Sequence, residues 1–455
     1  MTSTATRTAA PPTTTAPAAR PGAQALSWVL AVGVPAAIAS RFVVAMSVTV
    51  GQVLSVALAP VWVPTLKRFV GARLLAVVGL ACGVSGVWLT AFAQATHPVS
   101  RPNLVANTML LVGIVCGVGA LLWSRTVVSE RLIGLAYGAG LLVELVLKND
   151  PRTAENPWKF GIAVPLSVLL LSVVNRSGRR AWEVVVLLAL AGVSIAFDSR
   201  SAFAIYLLSA FLVAAQAVWA RPGLRSSVRG RAAAIALVVV ASAAVLYAVG
   251  SRLLLLGYLG AEAQERSIAQ ATTSGSIIVG GRPEMAATWA LFLHRPWGFG
   301  AGTLPTLGDI LVAKSGMWSI NYQPDNGYVE EYMFGGTIRL HSVVGDLWAQ
   351  FGIPGIALAL LIIGIALRAL VVRLASGTAS GIAVFATCTM LWNMLFGPIY
   401  GTAPLIVLAL GLTMLPREGP AWDPDVTQGP RAAGRPVTSA QRDAARRTAS
   451  TTRSA

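Results

Sequence analysis

Charge is scarce in this chain. Asp, Glu, Lys and Arg make up 12% of its 455 residues, against roughly 25% in an ordinary soluble domain. That is too little to solvate the surface of a soluble protein of this length. Cysteine is almost absent. Cys82, Cys116 and Cys388 each lie inside an apolar run, where a thiol behaves as a small hydrophobe, and no pair has disulfide-framework or metal-ligand spacing. Histidine is equally rare: His97, His294 and His341 are not paired at helical spacing, which argues against a zinc site.

What fills the space is hydrocarbon. Hydrophobic residues are 55% of the chain and the mean hydropathy is +0.68. Runs such as 104–123, 232–250 and 351–367 read as parts of hydrocarbon-spanning segments. The expected fold class is therefore all-α, a polytopic integral membrane protein with about twelve transmembrane helices and one large external loop. No separate globular domain is expected, and the surrounding lipids are its first partners.

The formal charge of +17 suggests nucleic acid until its distribution is examined. The basic residues fall in short connections, at 67–73, 125–131, 176–180, 221–231 and 368–373. That is the positive-inside bias of membrane helices, and nucleic acid is not an expected partner. Placing those clusters in the cytoplasm puts every intervening connection outside, and both termini inside, at a plasma membrane. Lys148 and Arg152 are a mild exception, offset by Asp150 and Glu155.

The expected organisation has a disordered cytoplasmic tail over 1–25, spans one to nine over 26–256 and a large external loop with short helices over 257–340. Spans ten to twelve then occupy 341–416, and a second disordered cytoplasmic tail covers 417–455. The spans are expected near 26–41, 43–63, 70–94, 104–123, 128–147, 158–175, 181–198, 201–220, 231–256, 341–367, 379–397 and 402–416.

Polar residues that interrupt such a chain are where its chemistry belongs. Asp198-Ser199-Arg200 breaks two apolar runs at the external boundary. It reads either as a tight turn whose Arg snorkels to the headgroups or as a functional site, since charge near hydrocarbon is costly. Gly280-Gly281-Arg282-Pro283-Glu284 leads into a helix over Met285–His294, and Pro suits the first helical position. Free amides, glycines and a guanidinium there suit an anion such as phosphate, the plainer reading being an ordinary loop-to-helix entry. His294 reads as a helix-end residue, and Asp325 with Glu330-Glu331 as a solvated acidic stretch. His341 opens an apolar helix on which Ser342, Asp346 and Gln350 form one polar stripe at four-residue spacing, expected to face the protein interior.

Taken together, these segments resemble the O-antigen ligase and O-antigen polymerase-like family of membrane glycosyltransferases. The likeness rests on Ser199-Arg200-Ser201, on Gly281-Arg282 with Trp289 downstream, and on Pro296-Trp297-Gly298-Phe299-Gly300. It ends with His341-Ser342 and Gln350-Phe351-Gly352-Ile353-Pro354-Gly355, and covers roughly residues 180–370. The resemblance implies transfer of a glycan from a polyprenyl-diphosphate carrier to a glycan or lipid acceptor at the external face. It implies no cofactor, no nucleotide sugar and no required metal. By motif match it gives Arg200 and Arg282 the diphosphate-binding roles and His341 that of the essential external histidine. Gly281 and Asp346 are the further expected substrate-binding residues. The family often has Asn after the histidine, where this chain has Ser342.

Three other readings compete, one of them a purely structural scaffold, which leaves the Arg and His positions unexplained. A transporter or exporter of a polysaccharide or lipid-linked glycan also favours about twelve helices, but no repeat is visible and the long loop is off-centre. A transferase with a carboxylate in its first external loop is disfavoured, because the loop around Arg41-Phe42-Val43 has no Asp or Glu.

Overall fold

The computed structural model describes residues 21–45, 47–148, 150–175, 180–219, 228–258 and 260–417. Both expected tails lie almost wholly outside them, as do Arg176, Arg179, Arg221 and Arg225 of two basic clusters.

The described chain is all-α apart from one two-stranded hairpin. Helix α1 (Pro21–Ser40) leads to β1 (Val43–Ala45) and β2 (Val48–Thr49), then to α2 (Val50–Ala57) and α3 (Ala59–Trp62). After a 3-10 turn come α4 (Ala72–Ala93), α5 (Arg101–Ser124), α6 (Glu130–Lys148) and the short α7 (Arg152–Glu155). A π turn over Trp158–Ile162 enters α8 (Ala163–Val174), followed by α9 (Arg180–Ala196), α10 (Arg200–Trp219) and α11 (Val228–Leu255). The long loop carries α12 (Ala261–Ser274), α13 (Ile277–Gly280), α14 (Glu284–His294) and α15 (Leu307–Trp318), and a second π turn over Tyr328–Met333. Then α16 (Val343–Ala375), α17 (Gly381–Phe396) and α18 (Ile399–Thr413) complete the bundle.

Among the described residues, five helices (α1, α4, α5, α11 and α16) are long and apolar enough to cross a membrane. A sixth span is possible if α2 and the segment from α3 to Arg68, bent by 54°, count as one. The expected continuous span over 43–63 is thus replaced by a hairpin and a broken helix. Thr49 and Gln52 form a capping box that starts α2 at Val50. Pro60 and Pro64 then restart the helix instead of continuing it.

The helix ends sort onto two faces of the bundle. On one face Arg125 donates to the carbonyls of Gly411 (2.9 Å) and Met414 (3.1 Å), and Arg373 pairs with Glu130 at 2.7 Å. Arg373 therefore belongs to the last turns of α16, not to a connection, because Glu130 holds its charge. The external segments of the sequence reading, among them the turn after α1, the loop after α6 and the start of α18, gather on the opposite face around one cavity.

On that opposite face the long loop builds a hydrophobic core of its own. Ala287 and Leu291 of α14, Ala313 and Met317 of α15, and Val329, Met333 and Phe334 close over Trp348 and Ala349 of α16. The cap is locked where two sequence motifs meet. The amides of Phe299 and Gly300 both donate to Ala349 O, at 2.8 and 2.9 Å, and Trp348 Nε1 donates to Pro296 O at 2.9 Å. Gly352 sits at a kink in α16 with φ 66°, and Gly298 of the loop has φ +87°. A side chain on either would run into the other's strand of backbone: Gly298 against Trp348 O, Gly352 against Trp297 O. Only glycine permits both the left-handed conformation and that approach.

Candidate functional site

Three elements of the loop-bearing face carry the sequence-selected residues. Arg200 is the first residue of α10, and its Nη1 donates to Ser267 Oγ of α12 at 3.0 Å. One turn of chain earlier, Asp198 adopts a left-handed φ of 45° and accepts from Arg266 Nη2 at 2.5 Å. The partner of Asp198 is therefore Arg266 on α12, not its neighbour Arg200. Helix α12 is pinned across the α9–α10 turn by these two contacts.

Arg282 stands just before α14, with Nη1 3.4 Å from Glu284 Oε1 and its guanidinium 6.0 Å from the Phe396 ring centroid. The expected cradle of free amides is not there. The N–H groups of Gly280, Gly281 and Arg282 donate to Ser276 O, Ile277 O and Val279 O, and those of Met285, Ala286 and Ala287 donate to Arg282 O and Pro283 O. What the segment offers an anion is the Arg282 side chain. Gly281 contributes by its small size: a Cβ there would press on Ile277 O and the Gln270 side chain.

His341 is 5% exposed and takes φ 52°, a conformation a non-glycine residue adopts at a cost of about 1–3 kcal/mol. Its ring lies 3.9 Å from that of Tyr332 with 5° between the planes, and its Nε2 is 3.2 Å from the backbone oxygen of Tyr332. A carbonyl oxygen only accepts, so Nε2 carries the proton and the lone pair of the neutral ring is on Nδ1. Burial, the largest influence, lowers the His341 pKa below 6.5, with the Tyr332 carbonyl and Glu284 acting in the opposite sense. At neutral pH the ring is a proton acceptor.

Charge ties these residues together. Lys159 lies within electrostatic reach of Asp198, Arg200, Arg266 and Arg282, and His341 within reach of Arg282, Glu284 and Arg339. Arg282 is the member common to both sets. Lys159, Arg266 and Glu284 were not selected from the sequence. The one available signal for Glu284 was its position two residues after Arg282. Tyr328 Oη donates to Glu284 Oε2 at 3.0 Å. Burial first, and Glu284 second, raise the pKa of both Tyr328 and Tyr332, so both phenols stay protonated.

Asp346 has a different occupation from the one expected of a substrate-binding residue. One carboxylate oxygen accepts from Leu340 N at 2.7 Å and the other from Ile399 N at 2.9 Å, with the residue 1% exposed. It holds the His341 segment to the start of α18. Ser342 caps α16 by accepting from Gly345 N, and donates to Met394 O at 3.1 Å. His294 is exposed at the end of α14, and the neighbouring Arg295 is instead within 3.1 Å of His97 Nδ1. His97 Nε2 also lies 3.1 Å from Asp309 Oδ2, a buried tie between the 95–100 turn and α15 that the sequence did not reveal. The acidic stretch is paired and not merely solvated: Lys314 Nζ reaches Asp325 at 2.9 Å and Glu330 at 2.6 Å. Among the described residues no three His, Cys, Asp or Glu side chains group so as to hold a metal.

No protein-family model, curated protein or solved structure matches this chain.

Proposed function

We propose that the protein is a membrane glycosyltransferase that moves a glycan from a polyprenyl-diphosphate carrier to an acceptor hydroxyl at the external membrane face, as a ligase or polysaccharide polymerase. The observation that carries this reading is the position of Arg282, shared between the Lys159–Arg200–Arg266 cluster and the neutral His341. A diphosphate leaving group gains charge as its bond to the sugar breaks, and fixed guanidinium groups in a partly dehydrated site stabilise that charge. The acceptor oxygen attacks the anomeric carbon, the bond from that carbon to the phosphate oxygen breaks, and His341 Nδ1 takes the hydroxyl proton. Glu284 holds Arg282, and Tyr332 holds the imidazole ring.

The topology belongs to the same proposal. Twelve spans result when the five long apolar helices and the bent pair are joined by the four shorter apolar helices, at 158–174, 200–216, 381–396 and 399–413, and by α6 and α9. The site face is then external, and the face carrying Arg125 and Arg373 cytoplasmic, with both termini on that side of the plasma membrane. Trp289, Trp297 and Trp318 of the cap are 62%, 70% and 55% exposed. Exposed tryptophan suits the headgroup level, where a lipid-borne diphosphate would lie.

The test is reconstitution of the full chain in liposomes with a synthetic polyprenyl-diphosphate oligosaccharide. Release of polyprenyl diphosphate with formation of an elongated or newly attached glycan is expected. Transbilayer movement of the intact donor, with no cleavage, would place the protein among exporters instead. Chain length of the surface glycan after deletion separates polymerase (short units remain) from ligase (free polymer remains).

A further inference from the structure

A cavity of about 660 Å³ opens among the ends of α1, α5, α6 and α18 on the same face as His341. It adjoins the catalytic segment: Arg339, two residues before His341, lines one wall, with its guanidinium 5.2 Å from the ring centroid of Tyr400, another lining residue. Its size falls within the roughly 300–1,000 Å³ of small-molecule sites.

Apolar side chains of α1, α5 and α18 make up much of the lining; neutral hydrogen-bonding groups are set among them, and most of its charges are paired. Arg41 is paired with Glu144 at 3.1 Å, and both oxygens of Asp346 hold backbone amides. Gln52 bonds Met109 O and Thr49 N, and Asn107 Nδ2 bonds Ala301 O at 2.7 Å. Gln350 is the exception. It lines the cavity, is 6% exposed, and its Oε1 is buried with no hydrogen-bond partner. A buried carboxamide oxygen without a partner is costly, and rotation about its last bond turns either end of the amide toward the cavity. The Gln350 amide, which can donate or accept, and the Phe42 and Tyr400 rings match a ligand that carries hydroxyls on a compact carbon frame. A hydrocarbon tail would leave Gln350 and the asparagine carbonyl unpaired. A strongly acidic ligand would meet Glu144 and Asp346, while of the lining cations Arg41 is paired with Glu144 and Lys148 with Asp150, which leaves Arg339.

We propose that this cavity binds a neutral saccharide, the terminal sugar of the acceptor. The acceptor role rests on the transferase reading above; the saccharide site itself rests on Gln350 and its place in the cavity wall. The donor diphosphate at Arg282 and the acceptor sugar beside Arg339 then both lie near His341.

The test uses the full-length protein in lipid nanodiscs and a panel of neutral methyl glycosides (glucose, galactose, mannose, rhamnose and arabinofuranose series) with the corresponding methyl uronates. Saturation-transfer NMR reads their binding. Farnesyl diphosphate serves as the probe of the arginine site in the same samples. At least one neutral glycoside is expected to bind more tightly than any uronate. Gln350→Leu should weaken it about tenfold, the loss of one hydrogen bond's worth of affinity. Ala106→Trp, which fills the cavity from α5, should abolish it, and Arg282→Lys should leave it unchanged. Farnesyl diphosphate binding retained in Gln350→Leu and Ala106→Trp confirms that they fold, and if one does not, the other is read alone. No binding by the panel, a preference for uronates, or binding indifferent to the folded cavity variants overturns the proposal. Glycoside binding without farnesyl diphosphate binding keeps the cavity and removes the transferase reading; the reverse result removes the cavity and leaves that reading standing.

Discussion

His341 and Tyr332 are stacked face to face, ring centroids 3.9 Å apart and planes 5° from parallel, while the Tyr332 carbonyl fixes the imidazole tautomer. One residue thus orients the histidine twice, by its ring and by its backbone. The arrangement makes the histidine's role separable from the backbone strain it bears, because φ is 52° at this position.

His341→Gly removes the ring and suits the left-handed backbone, so the protein should fold at least as well as the parent. Turnover should still fall on the order of 10²–10⁴-fold, the usual contribution of a general base. His341→Ala should lose as much turnover and melt below His341→Gly, since alanine keeps the strain that glycine relieves. Initial rates and melting temperatures of both variants at equal abundance check this. Normal turnover in His341→Gly would remove the histidine from the mechanism.

The pH profile follows from burial. With the His341 pKa held below 6.5, the neutral base is present above that folded value and is lost as pH falls through it. The acid limb of kcat/KM should therefore have its midpoint below 6.5, and it should disappear in His341→Ala. A midpoint above 6.5 would mean that the group titrating is not this buried imidazole.

Arg282→Lys keeps a charge but not the planar fork, and it also loses the geometry toward Glu284. Turnover should drop on the order of tenfold or more, with weaker farnesyl diphosphate binding. Arg266→Ala is the contrast. Its pair with Asp198 is half-exposed, so stability should change by about 0–1 kcal/mol while donor binding weakens through lost charge near Lys159. Equal donor affinity in the parent and both variants would misplace the diphosphate site.

Gly298→Ala or Gly352→Ala should loosen the cap, since each places a methyl group against the other's backbone at positive φ. Destabilisation of about 1 kcal/mol or more is expected. Faster hydrogen exchange should follow at the amides of Phe299 and Gly300, which bond Ala349 O. Unchanged protection of those amides would show that the docking does not depend on the glycines.

Sidedness can be read by cysteine labelling in intact cells, after replacement of Cys82, Cys116 and Cys388. Glu262 is a suitable loop position because its side chain is 92% exposed, whereas the Ser274 hydroxyl is engaged with Ile320 O. Cysteine at 262 should react with an impermeant reagent, and cysteine at 450 should not. Equal labelling of both would overturn the assignment of faces.

The sequence by itself determined the class of protein. Twelve per cent charge and long apolar runs point to a membrane protein, because hydrocarbon surface on that scale must face lipid or be buried. It also located the helix opened by Pro283, since proline's missing N–H and fixed φ suit a helix start wherever the chain goes. The tertiary structure decided who partners whom. Asp198 sits beside Arg200 in sequence yet pairs with Arg266, and Asp346, one helical turn from Ser342, serves two backbone amides. Lys159 entered the site, and Gln350 came to line a cavity, through packing of elements distant along the chain. Periodicity tells which face of a helix is polar, but a salt bridge or an unpaired amide depends on distances of a few ångströms between segments whose packing no local pattern encodes.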